Sequence, residues 1–393
     1  MNWPKRALSF AVGVVLVLFL AVGGFLAGGV TAESLSRPAT ATPPIEGFDL
    51  FWEAWQIVER DYVGELPTDA EVARGAVRGL LSSLNDYATS LIAPEFAQLE
   101  REESSGFYKG IGASVRSVDG LVAIAVIFPG SPAEESGLEV GDIILAVDGK
   151  DVQGISLYEV VSLIRGPAGT RVTLKIMRPA TGESLEKQVE RREIEIPTAT
   201  MELLPEGIAH IRLSDFNGQA TSQLQAALRT ARGEQVWGII LDLRDNPGGF
   251  LDQAISVADE FLDYGPVVIE RGRLEPERIH YSHDGGLATD LQLVVLVNGG
   301  SASASEIVAG AVQARQRGVL IGERSFGKGS VQFSFDLSDG SQLRVTTALW
   351  YTPDNRLIQG SGLQPDIEVA PDDSAETDTQ LQTAIQYLLE RQP

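Results

Sequence analysis

Gly300-Ser301-Ala302-Ser303-Ala304-Ser305-Glu306 joins an apolar run, Leu291 to Val297, to the stretch Ile307 to Arg317. The apolar run reads as a buried strand and the following stretch as a helix. Small hydroxyl residues therefore sit on a strand-to-helix turn. There a nucleophile can be exposed while the N–H groups of the helix N-terminus face a reacting carbonyl. Taken alone, Ser301, Ser303 and Ser305 would read as caps and packing residues, because serine is common at helix starts. A serine hydroxyl is also weak until a base takes its proton.

The base must come from elsewhere in the chain, which has no cysteine and only three histidines. Ser325-Phe326-Gly327-Lys328-Gly329-Ser330-Val331-Gln332 offers a lysine between two glycines. Ser303 is the expected nucleophile and Lys328 the expected general base. To act near neutral pH, Lys328 must have its pKa lowered from roughly 10.4 to about 7. Burial and a nearby positive charge both push that way. Gln332 shares a face with Lys328 if the segment is extended, and its amide could orient the amine. The plain readings are a solvated lysine and a surface glutamine. Gly248 and Gly249 follow a strand candidate ending at Arg244. The Gly248-Gly249 turn can present backbone N–H groups to an oxyanion and Ala304 can supply a second N–H, against the alternative of an ordinary strand-to-helix turn. His210 falls in a strand candidate and reads as packed, while His280 and His283 read as loop residues. Their spacing is a weak zinc signal, so neither metal nor cofactor is expected.

The pattern around these motifs is mixed α/β. Strand candidates at Ala209 to Leu213, Val236 to Leu243 and Val319 to Ile321 alternate with helix candidates at Ala220 to Ala231 and Leu251 to Leu262. Ser338-Asp339-Gly340-Ser341 turns a hairpin between Ser330 to Leu337 and Gln342 to Leu349. Leu381, Ala384, Ile385, Leu388 and Leu389 mark an amphipathic helix that needs a partner surface. Upstream, Gly106 to Arg192 has short β-rich runs and one helix candidate, Leu157 to Ile164. Before that, Phe48, Phe51, Trp52 and Trp55 recur at helical spacing, an aromatic stripe read as packed core.

The formal charge of −23 argues against nucleic-acid binding through a broad basic surface. Lys5 and Arg6 precede Ala7 to Ala32, which holds no charged residue. That span is long enough to cross a bilayer, which takes about 20 residues, and exceeds a usual signal-peptide core. It favours an uncleaved anchor, although Val30-Thr31-Ala32 resembles a cleavage site. Either reading puts the rest of the chain outside the cytoplasm, because the basic end stays inside. The rest of the chain would be tethered to the bacterial cytoplasmic membrane, or secreted if the segment is removed.

Together these motifs resemble the C-terminal processing proteases, also called tail-specific proteases. The resemblance rests on Ser301 to Ile307, on Phe326 to Gly329 with Gln332, and on Leu241 to Gly249. It extends to Tyr351-Thr352-Pro353 and Ile358-Gln359-Gly360, and to PDZ-like motifs at Gly110-Ile111-Gly112, Gly130-Ser131-Pro132-Ala133 and Ile164-Arg165-Gly166. One departure is Asn85-Asp86-Tyr87-Ala88-Thr89, where relatives usually carry an Asp-Pro-aromatic run. The resemblance implies an α+β multidomain chain: an anchor or signal peptide (1–33), a linker (34–46), a helical N-terminal domain (47–105) and a β-rich PDZ domain (106–192). A mixed α/β core of crotonase/Clp-protease type (193–371) and a C-terminal amphipathic helix (372–393) complete it. It implies a serine endopeptidase with Ser303, Lys328 and Gln332 as catalytic residues and Gly249 and Ala304 at the oxyanion hole. Gly110, Ile111 and Gly112 would take the terminal carboxylate of a protein or peptide with an apolar C-terminal tail. Assembly as a homodimer is compatible with this. The rival reading is a catalytically silent PDZ protein that presents tails to partners.

Overall fold

The computed structural model describes residues 47–94, 96–97, 104–118, 120–273, 276–371 and 377–392. The expected anchor and linker lie outside these residues, and no described helix is long and apolar enough to cross a membrane. The chain divides into two compact units between Asp69 and Ala70. In the first unit, helix α1 (Asp49–Asp61) carries Asp49 in its first turn and Arg60 in its last, both favourable to the helix dipole. None of its residues is buried. The aromatic stripe read as packed core is partly exposed, and its rings contact one another: Phe48 stacks on Phe51 and Trp52 meets Phe51 edge-on.

The second unit follows from α2 (Asp69–Ser82) and the short strand β1 (Ser90–Ile92). The ribbon β2 (Phe107–Gly110) and β9 (Arg192–Glu195) closes off the β-rich module. Between them lie β3 (Ala113–Val118), β4 (Leu121–Ile127), α3 (Pro132–Glu135), β5 (Ile143–Val147), β6 (Lys150–Asp151), α4 (Leu157–Ile164), β7 (Arg171–Arg178) and β8 (Glu183–Glu190). These strands form an antiparallel sheet in the order β3-β4-β5-β7-β8, with β6 beside β5. α4 starts on a capping box made by Ser156 and Glu159 and packs Val160 and Ile164 onto Ile124, Ile144 and Leu174. The edge strand β3 is left beside α4.

The core begins with β10 (Ala199–Leu204), β11 (Ile208–Leu213), α5 (Ala220–Gly233), β12 (Gly238–Asp242), α6 (Leu251–Asp259), β13 (Gly265–Gly272) and β14 (Arg278–Ser282). It continues with β15 (Gln292–Val297), α7 (Ala304–Ala314), β16 (Val319–Gly322), β17 (Ser330–Asp336), β18 (Gln342–Tyr351), β19 (Ile367–Glu368) and α8 (Thr379–Leu389). One sheet runs β10-β11-β12-β15-β16-β19 and is parallel from β11 onward. Its central strands β12 and β15 are buried on both faces, which is why they read as nearly unbroken apolar runs. Ile211, Leu241 and Val295 face α5, α6 and α7, while Ile240, Val294 and Leu296 face α8. The amphipathic C-terminal helix thus finds its partner surface on the far side of the sheet. The second sheet runs β1-β18-β13-β14, with β17 also paired to β18.

Two segments differ from the sequence reading. His280 lies in β14 instead of a loop. The Asn85 to Thr89 departure is a closed turn: Asp86 accepts from Ala88 N at 3.0 Å and from Thr89 Oγ1 at 2.7 Å, and Thr89 Oγ1 accepts from Thr346 N on β18. The turn therefore anchors β1, whose Ser90 pairs with Arg344. Leu388 on α8 is fully buried. Leu388→Ala is expected to cost about 2–5 kcal/mol in urea unfolding. A loss under ~1 kcal/mol would mean that α8 is only loosely docked.

Candidate active site

The strand-to-helix turn expected between Leu291 and Ile307 forms at the end of β15 and the start of α7. Ser303 sits there with φ 55° and ψ −113°. This left-handed backbone is strained for a serine, by about 1–3 kcal/mol, and such strain gathers at functional turns. The neighbouring serines behave differently. Ser301 Oγ donates to the Leu243 carbonyl at 2.7 Å, and Ser305 Oγ donates to the Asn246 carbonyl at 2.9 Å. Both are fully buried ties between the serine turn and the turn after β12. Of the three, only Ser303 lines the large cavity of about 1180 Å³.

The glycine turn after β12 lies directly against the serine turn. Ala302 N donates to the Asn246 carbonyl at 3.0 Å. A Cβ at Gly248, whose φ is 103°, would stand 2.7 Å from Ser303 Cβ and 2.9 Å from Ala304 N, so only glycine fits. Gly249 is held by a bridge to Phe216. Among the described residues the N–H groups of Gly249 and Ala304 donate to no other backbone group. The structure therefore brings the expected oxyanion residues to Ser303.

Lys328 lines the same cavity. Burial lowers its pKa below the ordinary lysine value, Arg344 pushes further down, and Glu306 opposes them. The loop around it is packed from behind: a Cβ at Gly329 would overlap the Gln359 backbone, and Gly360 N donates to the Gly327 carbonyl at 2.9 Å. No hydrogen bond joins Lys328 Nζ to Ser303 or to Gln332. Gln332 donates its amide nitrogen to Ser330 Oγ at 2.7 Å and to the Ser330 carbonyl at 3.1 Å. A bulge lies between Val331 and Gln332, and Gln332 lines the same cavity as Lys328.

Glu306 was legible only as an acid in the first turn of a helix. It is fully buried, and its carboxylate accepts four hydrogen bonds. Ser325 Oγ (2.6 Å) and Gly327 N (2.7 Å) donate to Oε1, and Ser303 N and Lys328 N (both 2.9 Å) donate to Oε2. Burial raises its pKa, with the four hydrogen bonds opposing. Asp242 was likewise missed. Burial alone would raise its pKa, but hydrogen bonds from His210 and Arg244 hold it well below the usual carboxylate range. Arg244 also reaches Asp378 at the start of α8 at 2.7 Å. A charge inside the apolar run Leu241-Asp242-Leu243 was the available signal.

In the β-rich module, Gly110 and Ile111 line the same cavity as Ser303 and Lys328, together with Ala113 to Val115 of β3 and Val161 and Ile164 of α4. Gly112, with φ 78°, packs so closely on Ser131 that any side chain would overlap it. Its carbonyl accepts from Phe128 N at 3.0 Å. Arg165 lies over the Tyr108 ring at 4.9 Å.

The β-rich module and the strained serine of the α/β core line one cavity, as expected of a multidomain peptidase. Sequence comparison agrees. Residues 207–369 match the model for peptidase family S41, and residues 124–178 match a PDZ domain. The chain is 38% identical over 361 residues to the carboxy-terminal-processing protease of Bartonella bacilliformis, covering 90% of this chain and 82% of that protein. It is 32% identical over 373 residues to the carboxy-terminal processing protease CtpA of Bacillus subtilis, covering 94% and 79%. A putative S41 protease from Bacteroides fragilis shares the fold, with a TM-score of 0.54 at 18% identity over 87% of this chain and 98% of that one. The chain belongs to peptidase family S41 and is a multidomain peptidase with a PDZ domain.

Glu306→Gln keeps the size of the side chain but leaves one acceptor oxygen for four donors. Each buried donor left unpaired costs about 1–3 kcal/mol. The variant should unfold at a lower denaturant midpoint and cleave peptide at least about tenfold more slowly. Wild-type stability and turnover together would contradict the stapling role.

Proposed function

We propose that this chain is a serine endopeptidase that cuts exported or membrane proteins near their C-termini, with Ser303 as nucleophile and Lys328 as general base. The observation that carries the reading is that Ser303, alone of its three serines, opens into the cavity that also holds Lys328 and the Gly110-Ile111 loop. Ser303 Oγ attacks the scissile carbonyl as Lys328 Nζ takes its proton. The oxyanion is stabilised by the N–H groups of Gly249 and Ala304. Lys328 then returns the proton to the leaving amine, and water, deprotonated by Lys328, hydrolyses the acyl-enzyme. The amide nitrogen of Gln332 is committed to Ser330, which leaves its oxygen to orient Lys328.

The tail of the substrate would enter the PDZ groove, adding as a strand along the edge of β3. Backbone amides of Gly110, Ile111 and Gly112 would meet its terminal carboxylate, and Val161 and Ile164 would favour apolar terminal side chains. The names of the relatives, carboxy-terminal processing proteases, support this substrate class. Ala7 to Ala32 would tether the enzyme to the cytoplasmic membrane with its catalytic domain outside, or leave it secreted if removed.

Ser303→Ala and Lys328→Ala should each abolish cleavage of an unstructured peptide with an apolar tail, and Lys328→Arg should not restore it, because arginine stays protonated. Lys328 must be neutral to act, so kcat/KM should rise with pH through an ionisation below the ordinary lysine value. Near-normal turnover by Ser303→Ala, or a flat pH profile with an active Lys328→Arg, would exclude the pair.

Amidating the substrate C-terminus removes its charge and one acceptor. The amidated peptide should bind the enzyme more weakly in fluorescence anisotropy with Ser303→Ala. Equal affinities would remove carboxylate capture and leave the peptidase chemistry standing.

A further inference from the structure

Glu270, Arg278 and His280 line the catalytic cavity, and no step above uses them. They come from β13 and β14, where Glu270 stands across from Arg278 and Val268 across from His280. Glu270 Oε2 and His280 Nε2 lie 3.0 Å apart, and both side chains are largely buried, 17% and 14% exposed. The His280 ring meets Trp350 edge-on, with centroids 6.1 Å apart. Trp350 stands across from Glu270 and donates its backbone N–H to the carbonyl of Gly329, the residue after Lys328, at 2.7 Å. The pair therefore lies one strand away from the lysine loop, in the wall of the cavity onto which Ser303 opens.

The wall offers hydrogen-bonding groups of both kinds, acceptors on Glu270 and His280 and donors on Arg278, which suit a side chain that can donate and accept. In the tautomer that donates Nε2–H to Glu270, His280 keeps Nδ1 as an acceptor. Glu270 Oε1 accepts no hydrogen bond among the described residues. An apolar side chain seated here would bury two acceptors without a donor, which a site built for hydrogen bonding penalises strongly. Arg278, opposite Glu270, supplies positive charge that disfavours a cationic side chain.

We propose that the Glu270–His280 pair is a specificity subsite that receives a substrate side chain beside the scissile bond and prefers a hydroxyl or carboxamide to an apolar group of the same shape. It rests on the Ser303–Lys328 reading of this cavity. Threonine and valine differ in shape by almost nothing, so they separate polarity from size.

The test uses peptides with one apolar tail that differ only by Thr or Val at each of the positions flanking the cleaved bond. The full chain should cut the Thr peptide at least about tenfold faster in kcat/KM than the Val peptide at one of these positions. Glu270→Leu should erase that ratio, the Thr peptide losing far more than the Val peptide. Glu270→Leu/His280→Leu, which leaves no unpaired partner behind, should erase it too if the single variant folds poorly. An unchanged Thr:Val ratio in the variants, or a wild-type preference for Val at every position, overturns the subsite. Cleavage of both peptides by the wild type and its loss in Ser303→Ala upholds the underlying chemistry independently, so the two failures stay distinct.

Discussion

A single buried carboxylate holds the two halves of this active site at one separation. Glu306 reaches back from the first turn of α7 to Ser303 N and forward to Ser325, Gly327 and Lys328. Beside it, the serine turn and the lysine loop are joined by backbone contacts such as Phe326 N to the Ser301 carbonyl. Burying a charge is costly unless every lone pair finds a donor, and here four donors do so. The raised pKa of Glu306 reports the remaining penalty. That arrangement lets Lys328 be half-buried and poorly solvated, as a lysine base requires, without collapsing the loop that carries it.

The other constraints serve the same geometry. Ser301 and Ser305 bind the serine turn to the glycine turn, and Gly248 leaves no room for a side chain against Ser303. Asp242 and Arg244 extend the support from β12 to Asp378 on α8. The strained backbone of Ser303 is thus fixed by its neighbours, and strain of this kind persists only where the surroundings over-determine it. The Gly110-Ile111 loop of the PDZ domain lines the same open cavity as Ser303 and Lys328.

Much of this was legible in the sequence because it is local. A buried parallel sheet leaves unbroken apolar runs, and β15, β12 and β16 were found from them. The serine turn and the glycine-flanked lysine are set by short motifs whose backbone demands are visible in the residue types. What escaped reading depends on distant partners. β13 and β14 carry Glu270, Arg271, Arg278 and His280, which break the alternation expected of a strand; β14 pairs with β13, and β13 pairs with β18, which partners it from about eighty residues further on (Glu270 with Trp350). β8 alternates charged residues on its solvent face and pairs only with β7. Glu306 looks like an ordinary helix-dipole acid until tertiary packing buries it. The partner of Gln332 was hidden by a bulge that no local pattern announces.

The central claim is that Ser303 is activated by Lys328 within this stapled pair of turns. It is tested most directly by treating the enzyme with a fluorophosphonate reagent for activated serines and locating the adduct by peptide mass spectrometry. The account predicts one adduct, on Ser303, forming faster as pH rises and nearly absent in Lys328→Ala. Modification at another serine, or labelling of Ser303 at an undiminished rate without Lys328, would contradict it.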